Sequence, residues 1–220
     1  MLPISKGSRP RELTEAIRRI KSTPSTVLSW RCIDSATKQV ILRSLLEEQN
    51  GLCAYCERKI DKSNAHVEHI KPQSAGNGGD DPDSVDYWNM LAVCDGFEGD
   101  PAGLTCDRSR GNAPLKINPL KPDTLKNIRY RRNGVILSKD KTINSELNDV
   151  LNLNQQMLVR SRYAALERMY IMFNKIEKKK GSAAVARFCS RYIDDHLHDA
   201  KQRDEYDGIL IYFMQRRARC

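Results

Sequence analysis

Apolar positions recur at three- and four-residue intervals after Asp34: Val40, Ile41, Leu45 and Leu46 fall on one side of a helix that Asp34 or Ser35 can cap and Gly51 can end. A shorter helix is predicted before it, from Leu13 to Ile20. Beyond Gly51 the helical period stops. Glu57 to Asn64 reads as a polar turn and His66 to Ile70 as a short strand. Residues 71–87, with Pro72, Gly76, Gly78, Gly79 and Pro82, read as a loop. Trp88 to Cys94 is apolar enough for a returning strand or a turn into one, Asp95 to Thr105 is a second loop, and Asp107 should open a short helix. Ile128 to Leu137 predicts a hairpin closed by a two-residue Asn133-Gly134 turn. The remainder reads as helical. One helix is expected from about Asn154 to Lys180, with Met157, Leu158, Leu166, Met169, Tyr170, Phe173 and Ile176 inward and Gly181 stopping it, followed by Ser182 to His196 and Asp199 to Arg217.

Charge narrows the class of partner. The 220 residues carry 37 Lys and Arg against 28 Asp and Glu, a net +9, and such a surface favours polyanions because phosphate contacts release condensed counterions. The basic N-terminal stretch reads as a solvated arm over the core. It lacks the apolar run and cleavage site of a signal peptide, and no segment is apolar for long enough to span a bilayer, so a cytoplasmic protein with no membrane partner is expected.

Seven cysteines in a reducing compartment point to metal rather than disulfides. Cys53 and Cys56 sit two residues apart on a tight knuckle; Cys94 and Cys106 return after the loops. The four suit a structural zinc ion in tetrahedral thiolate coordination, which in isolated zinc peptides is worth on the order of 10 kcal/mol of folding free energy. Eleven residues separate the second pair, so the pattern is looser than a double CxxC. Cys32 and Cys189 read as small packing residues and Cys220 as a tail thiol. Between the thiol pairs lies His66-Val67-Glu68-His69. On a strand, His66 and Glu68 share one face and His69 the other, so a bend at the strand end is expected to bring Glu68 and His69 to one site. A neutral imidazole can take a proton from water, and a divalent cation can stabilise charge on a phosphate and its leaving oxygen.

Cys53-x2-Cys56, Glu68-His69-Ile70-x-Pro72, the Gly-rich loop, Asn89 and Cys106-Asp107 together resemble the HNH endonuclease signature of the ββα-metal superfamily in its zinc-bearing form. The resemblance implies an α+β fold with a small zinc-stapled ββα-metal core, to which the hairpin and a mainly helical C-terminal region are added. It implies that Glu68 binds a catalytic Mg²⁺ or Mn²⁺, that His69 is the general base, that Asn89 braces the loop orienting His69, and that Asp107 completes the cation site. Glu68 stands where Asp is more usual, and Asp107 where Asn or His is usual. Asn112, expected farther along the same helix, is the competing last ligand. A wider likeness takes in the Leu46-x2-Gln49-Asn-Gly-Leu-Cys-Ala-Tyr-Cys-Glu57 entry, Trp88-Asn89-Met90, Asn118-Pro-Leu, the hairpin and the helical tail. It is similar to the PtuB family, HNH subunits of Septu-type and retron-associated anti-phage systems, and implies an ABC-type ATPase partner, PtuA-like.

The chain accordingly divides into a basic arm (1–33), a nuclease core with the four-cysteine site (34–120), and a hairpin and helical region (121–220) suited to partner docking. The expected activity is hydrolysis of phosphodiester bonds in DNA or RNA. The competing reading is a zinc-ribbon nucleic-acid-binding or scaffold module in which the His-Glu-His string is only structural.

Overall fold

A computed structural model describes residues 1–73, 82–96, 103–198 and 203–218. The chain is α+β, with helices in the majority and, among the described residues, two two-stranded antiparallel sheets. Helix α1 (Arg11–Lys21) runs slightly beyond the predicted span and buries Leu13, Ala16 and Ile20. Helix α2 (Ser35–Glu48) starts where Asp34 accepts from the Thr37 amide at 2.9 Å, and ends where the Gly51 amide donates back to the Leu46 carbonyl, with Gly51 at φ +65°. Gln49, buried just past α2, donates to the carbonyls of Leu52 and Ala92 and accepts from the Ala92 amide, each at 2.8 Å. One side chain thus fastens the end of α2 to the cysteine knuckle and to strand β2 (Met90–Cys94).

Strand β1 (Ala65–His69) pairs with β2 in a register that sets Ala65 opposite Cys94 and His69 opposite Met90. Within the loop expected over 71–87 the described part holds a 3₁₀ turn, Pro82–Val85, and a second turn, Tyr87–Asn89, precedes β2. The Gly-rich stretch of that loop, part of the loop before Cys106, and Cys220 lie outside the described residues. Helix α3 (Cys106–Arg110) follows and packs on β2. It is short because Gly111, at φ +55°, turns the chain away, so Asn112 lies in an exposed turn beyond the helix and not along it.

After the single-turn α4 (Pro122–Leu125) comes the hairpin of β3 (Ile128–Tyr130) and β4 (Ile136–Ser138). Its turn is longer than the two residues expected: the Gly134 amide donates to Arg131 and the Arg131 amide to Val135, leaving Arg132, Asn133 and Gly134 in the loop. Only Gly134 has positive φ (+88°), as in a type I turn closed by a left-handed glycine. The long helix α6 explains the glycine a second time. α6 (Gln156–Lys180) follows α5 (Lys141–Ser145) and a wider turn over Glu146–Val150, and a Cβ on Gly134 would lie 2.2 Å from the Val159 carbonyl oxygen. Gly134→Ala should therefore cost about 2 to 5 kcal/mol, from left-handed strain plus overpacking; thermal unfolding with zinc present would show it, and a loss under about 1 kcal/mol would contradict the account.

Helix α6 buries Leu158, Leu166, Met169 and Phe173 as expected, but Met157 is 43% exposed. Its core face instead includes Arg162, which donates to the carbonyls of Gly134 (2.6 Å) and Leu153 (2.7 Å). Helix α7 (Ser182–Ile193) leads into a wider turn over Asp194–His198, and the last helix, α8, begins at Asp207, not at Asp199, and runs to Arg217. Asp207, fully buried, accepts from the Tyr192 hydroxyl, His196 Nδ1 and the Asp204 amide. These bonds fix where α8 can start.

One apolar core joins all of this, from Met1, Leu2 and Ile4 through Ile41, Leu45 and Leu91 to Leu158, Ile209 and Met214. The first residues are therefore packed inside and not laid on solvent. Cys189 is buried as expected, whereas Cys32 is exposed. Among the described residues no helix is long and apolar enough to cross a membrane.

Candidate active site

The cysteine knuckle forms because the Cys53 amide donates to the Arg58 carbonyl and the Glu57 amide returns to Cys53, with Glu57 in the left-handed region at φ +63°. Cys94 ends β2, and Cys106 opens α3 with its amide donating to the Leu151 carbonyl at 2.8 Å. All four thiols are buried, and their sulfurs lie within 4.8 Å of one another. Cys53 Sγ to Cys106 Sγ and Cys56 Sγ to Cys94 Sγ are both 3.8 Å. A tetrahedral zinc with bonds of about 2.3 Å has ligand edges of about 3.8 Å, so the group has the shape of a structural zinc centre. The Cys94 amide also donates to Cys53 Sγ at 3.4 Å, a contact that favours a thiolate.

Beside the thiols, Glu68 projects from β1 and Asp107 from the first turn of α3. Burial first, and then the charge of Asp107, pushes the Glu68 carboxyl up to about 8, with Arg110 opposing. Asp107 goes the other way: against the upward push of burial, the His66 hydrogen bond and its neighbours hold it below the usual carboxylate value. His66 Nε2 donates to Asp107 Oδ2 at 2.6 Å. Two carboxylates pressed together under partial burial call for a shared proton or a cation, so this donor set suits a hard divalent ion. Glu68 also accepts from the Tyr55 hydroxyl at 3.1 Å and from the Arg110 guanidinium. Arg110 goes on to donate to the carbonyls of His69 (3.0 Å) and Ile70 (2.6 Å), and so pins the end of β1 to α3.

His69 lies on the other face of β1. Its Nε2 donates to the Ser84 carbonyl at 2.9 Å, which leaves the lone pair on Nδ1, where the Gln73 amide donates at 2.8 Å. Burial lowers its pKa to about 4, so the imidazole is neutral at physiological pH. The ring also meets Trp30 edge-on at 5.1 Å between centroids, and the Trp30 amide donates to Ser84 Oγ. Asn89 spans the neighbouring turn: it accepts from the Lys71 amide at 2.8 Å and donates to the carbonyls of Lys71 and Asp83.

Glu68 and His69 thus sit side by side at the end of a regular strand, on alternate faces, without the expected bend. Asp107 comes against Glu68, whereas Asn112 is exposed in the turn past α3. Several side chains escaped the sequence reading: Arg110, Tyr55, Gln73, Trp30, and His66 in its link to Asp107. Arg110 was findable, because it stands three residues after Asp107 on the same helical face. Trp30 and Gln73 carry no such periodic signal.

The chain is 28% identical over 181 residues to the "Retron Vc95 putative HNH endonuclease" of Vibrio cholerae serotype O1 biovar El Tor, a match covering 78% of this chain and 86% of that protein. It is 40% identical over 86 residues to the "Retron Ec83 putative HNH endonuclease" of Escherichia coli, covering 34% of this chain and 33% of that protein, a third of its length. No family model matches the chain. The chain therefore resembles HNH endonucleases associated with retrons.

Proposed function

We propose that this chain is a metal-dependent HNH endonuclease, with β1, β2 and α3 as a ββα-metal core stapled by zinc on Cys53, Cys56, Cys94 and Cys106. The observation that carries the reading is a neutral, tautomer-fixed His69 next to buried Glu68 and half-buried Asp107. A phosphodiester resists hydrolysis because water is a weak nucleophile and an alkoxide a poor leaving group. Once the Gln73 amide that donates to it is displaced, His69 Nδ1 takes the proton from water, and the Ser84 carbonyl stabilises the imidazolium that results through Nε2–H. Glu68 and Asp107 would hold a Mg²⁺ or Mn²⁺ ion, which would supply charge stabilisation to the phosphate and departing oxygen. Arg110 and Tyr55 orient Glu68, His66 orients Asp107, and Asn89 fixes the turn behind His69.

Purified protein incubated with Mg²⁺ or Mn²⁺ and plasmid, single-stranded DNA or RNA tests the activity; no cleavage of any of these would leave a zinc-ribbon binding module. Glu68→Ala and Asp107→Ala are expected to weaken Mn²⁺ binding in calorimetry at least tenfold, about 1.4 kcal/mol each, with zinc content unchanged, and Asn112→Ala to leave it intact. The reverse pattern at Asp107 and Asn112 would move the last ligand.

We further propose that the nuclease acts in the cytoplasm as the effector of an anti-phage complex with an ABC-type ATPase docked on the region 121–220. Support comes from the PtuB-like arrangement over most of the chain and from the retron names of both relatives. Co-expression with the ATPase followed by copurification tests it, and separate elution of the two would remove the partner.

A further inference from the structure

Outside the catalytic constellation the most unusual surface lies between α6 and α7. Met172, Lys175, Ile176 and Lys179 follow one face of α6, and Ala184, Arg187, Phe188 and Arg191 the facing side of α7, both at helical spacing. They enclose a groove of about 550 Å³ with an apolar floor, at Met172, Ile176 and Phe188, and a cationic rim. The rim consists of Lys175, Lys179, Lys180, Arg187 and Arg191. All five are exposed, and no carboxylate lines the groove. Among the described residues none of the five is in an ion pair. Cations close to the candidate active site are different: Arg110 is committed to Glu68, Lys71 to Asp83 and Arg58 to Asp95. The helical layer thus carries a cluster of five exposed cations, none in an ion pair among the described residues, whereas these three near His69 have acidic partners.

We propose that the groove between α6 and α7 binds a single-stranded segment of nucleic acid, the rim cations following the phosphates and the floor receiving base faces. The choice of nucleic acid as the polyanion rests on the nuclease reading above. A duplex keeps its base faces stacked inside and would leave the apolar floor unused, whereas unpaired bases present faces that apolar and aromatic side chains accept without regard to sequence. Phe188, half-buried and in edge contact with Phe173, is held in place for that role.

The test is fluorescence anisotropy of a labelled oligonucleotide, single-stranded and as a duplex, over a range of salt concentrations. It uses full-length His69→Ala protein without added divalent cation, so that no cleavage intervenes. Lys175→Glu/Lys179→Glu/Arg187→Glu is compared with an equal charge change on α1, Arg11→Glu/Arg18→Glu/Lys21→Glu, with folding checked by circular dichroism and zinc content. The groove variant is expected to lose about tenfold or more in single-strand affinity, and the plot of log affinity against log salt should flatten by about 2, three contacts at about 0.7 each. The α1 variant should do neither. Equal loss in both variants, or tighter binding of the duplex than of the single strand, would overturn the proposal. Unchanged binding by the groove variant would overturn it too, and would leave the groove to an acidic segment of a protein partner. A wild-type chain that binds single strands in the groove yet cleaves nothing with Mg²⁺ or Mn²⁺ would sink the nuclease reading and leave this one standing.

Discussion

His69→Ala should lower cleavage by about 10²- to 10⁴-fold, the usual contribution of a positioned general base, while zinc content and Mn²⁺ affinity stay those of the wild type. The imidazole belongs neither to the thiol cluster nor to the carboxylate pair, so under the proposed mechanism its loss should remove proton transfer and leave both proposed metal sites intact. Cleavage within about fivefold of wild type would exclude it as the base. The pH profile adds an independent check. Burial holds the His69 imidazole down at about 4, so its base form should persist as pH falls through the ordinary value of about 6.5 and fail only near the lowered one. Stability follows the same sign. Unfolded chains take up the proton below about 6.5 and the folded protein does not until about 4, so this contribution, at most about 3 kcal/mol, is present above that window and lost as pH falls through it. Glu68, raised to about 8, acts in the opposite sense in cation-free protein: its unfavourable contribution grows as pH rises from the ordinary carboxylate value to about 8 and is constant above it. Only the His69-dependent part should vanish in the alanine variant.

Cys56→Ser and Cys106→Ser should each give protein without stoichiometric zinc that aggregates or melts far below wild type, instead of a folded, inactive enzyme. Burial and the neighbouring thiols push the Cys106 thiol up, while hydrogen bonds from the other thiols hold Cys94 down, so without a metal the crowded sulfurs do not all reach the thiolate form that a tetrahedral zinc neutralises. Losing a centre worth on the order of 10 kcal/mol exceeds or equals the whole stability of most domains. Elemental analysis and thermal melts measure the effect, and a soluble, folded Cys106→Ser protein with wild-type melting would contradict the structural assignment of the thiols.

The parts of the fold legible in the sequence were those set by short-range signals. The Asp34 cap and Gly51 stop of α2, the pairing of His66-Val-Glu-His69 with Met90–Cys94, the Gly181 stop of α6 and the convergence of the four cysteines all follow from local period or spacing. Period alone could not locate Met157, which is exposed, or Arg162, which is buried, because the side of α6 that meets the core is decided by the hairpin lying against it at Gly134. The hairpin turn is one residue longer than an Asn-Gly signal suggests for the same reason. At the candidate site Glu68, His69, Asn89 and Asp107 stood out as residue types. Their partners did not: Ser84 uses a backbone carbonyl, Trp30 comes from before α2, and Gln73 sits four residues beyond His69 in a turn. Such contacts depend on tertiary placement, which has no sequence period.

The knuckle that carries Cys53 and Cys56 is also fastened from far along the chain. Gly208 donates its amide to Glu57 Oε2 at a sequence separation of 151, the Tyr206 amide donates to the Glu57 carbonyl, and a side chain at Gly208 would collide with that carboxylate. A bond across such a span is entropically costly to close and forms late, after the local turns and helices on either side. During synthesis the cysteine pair emerges long before α8, so a ribosome-held chain has its metal-binding thiols on display without the helix that seats them. The seat of the knuckle is thus completed by the last helix, and chains cut short before Gly208 are expected to carry a more loosely held knuckle, which limited proteolysis would show.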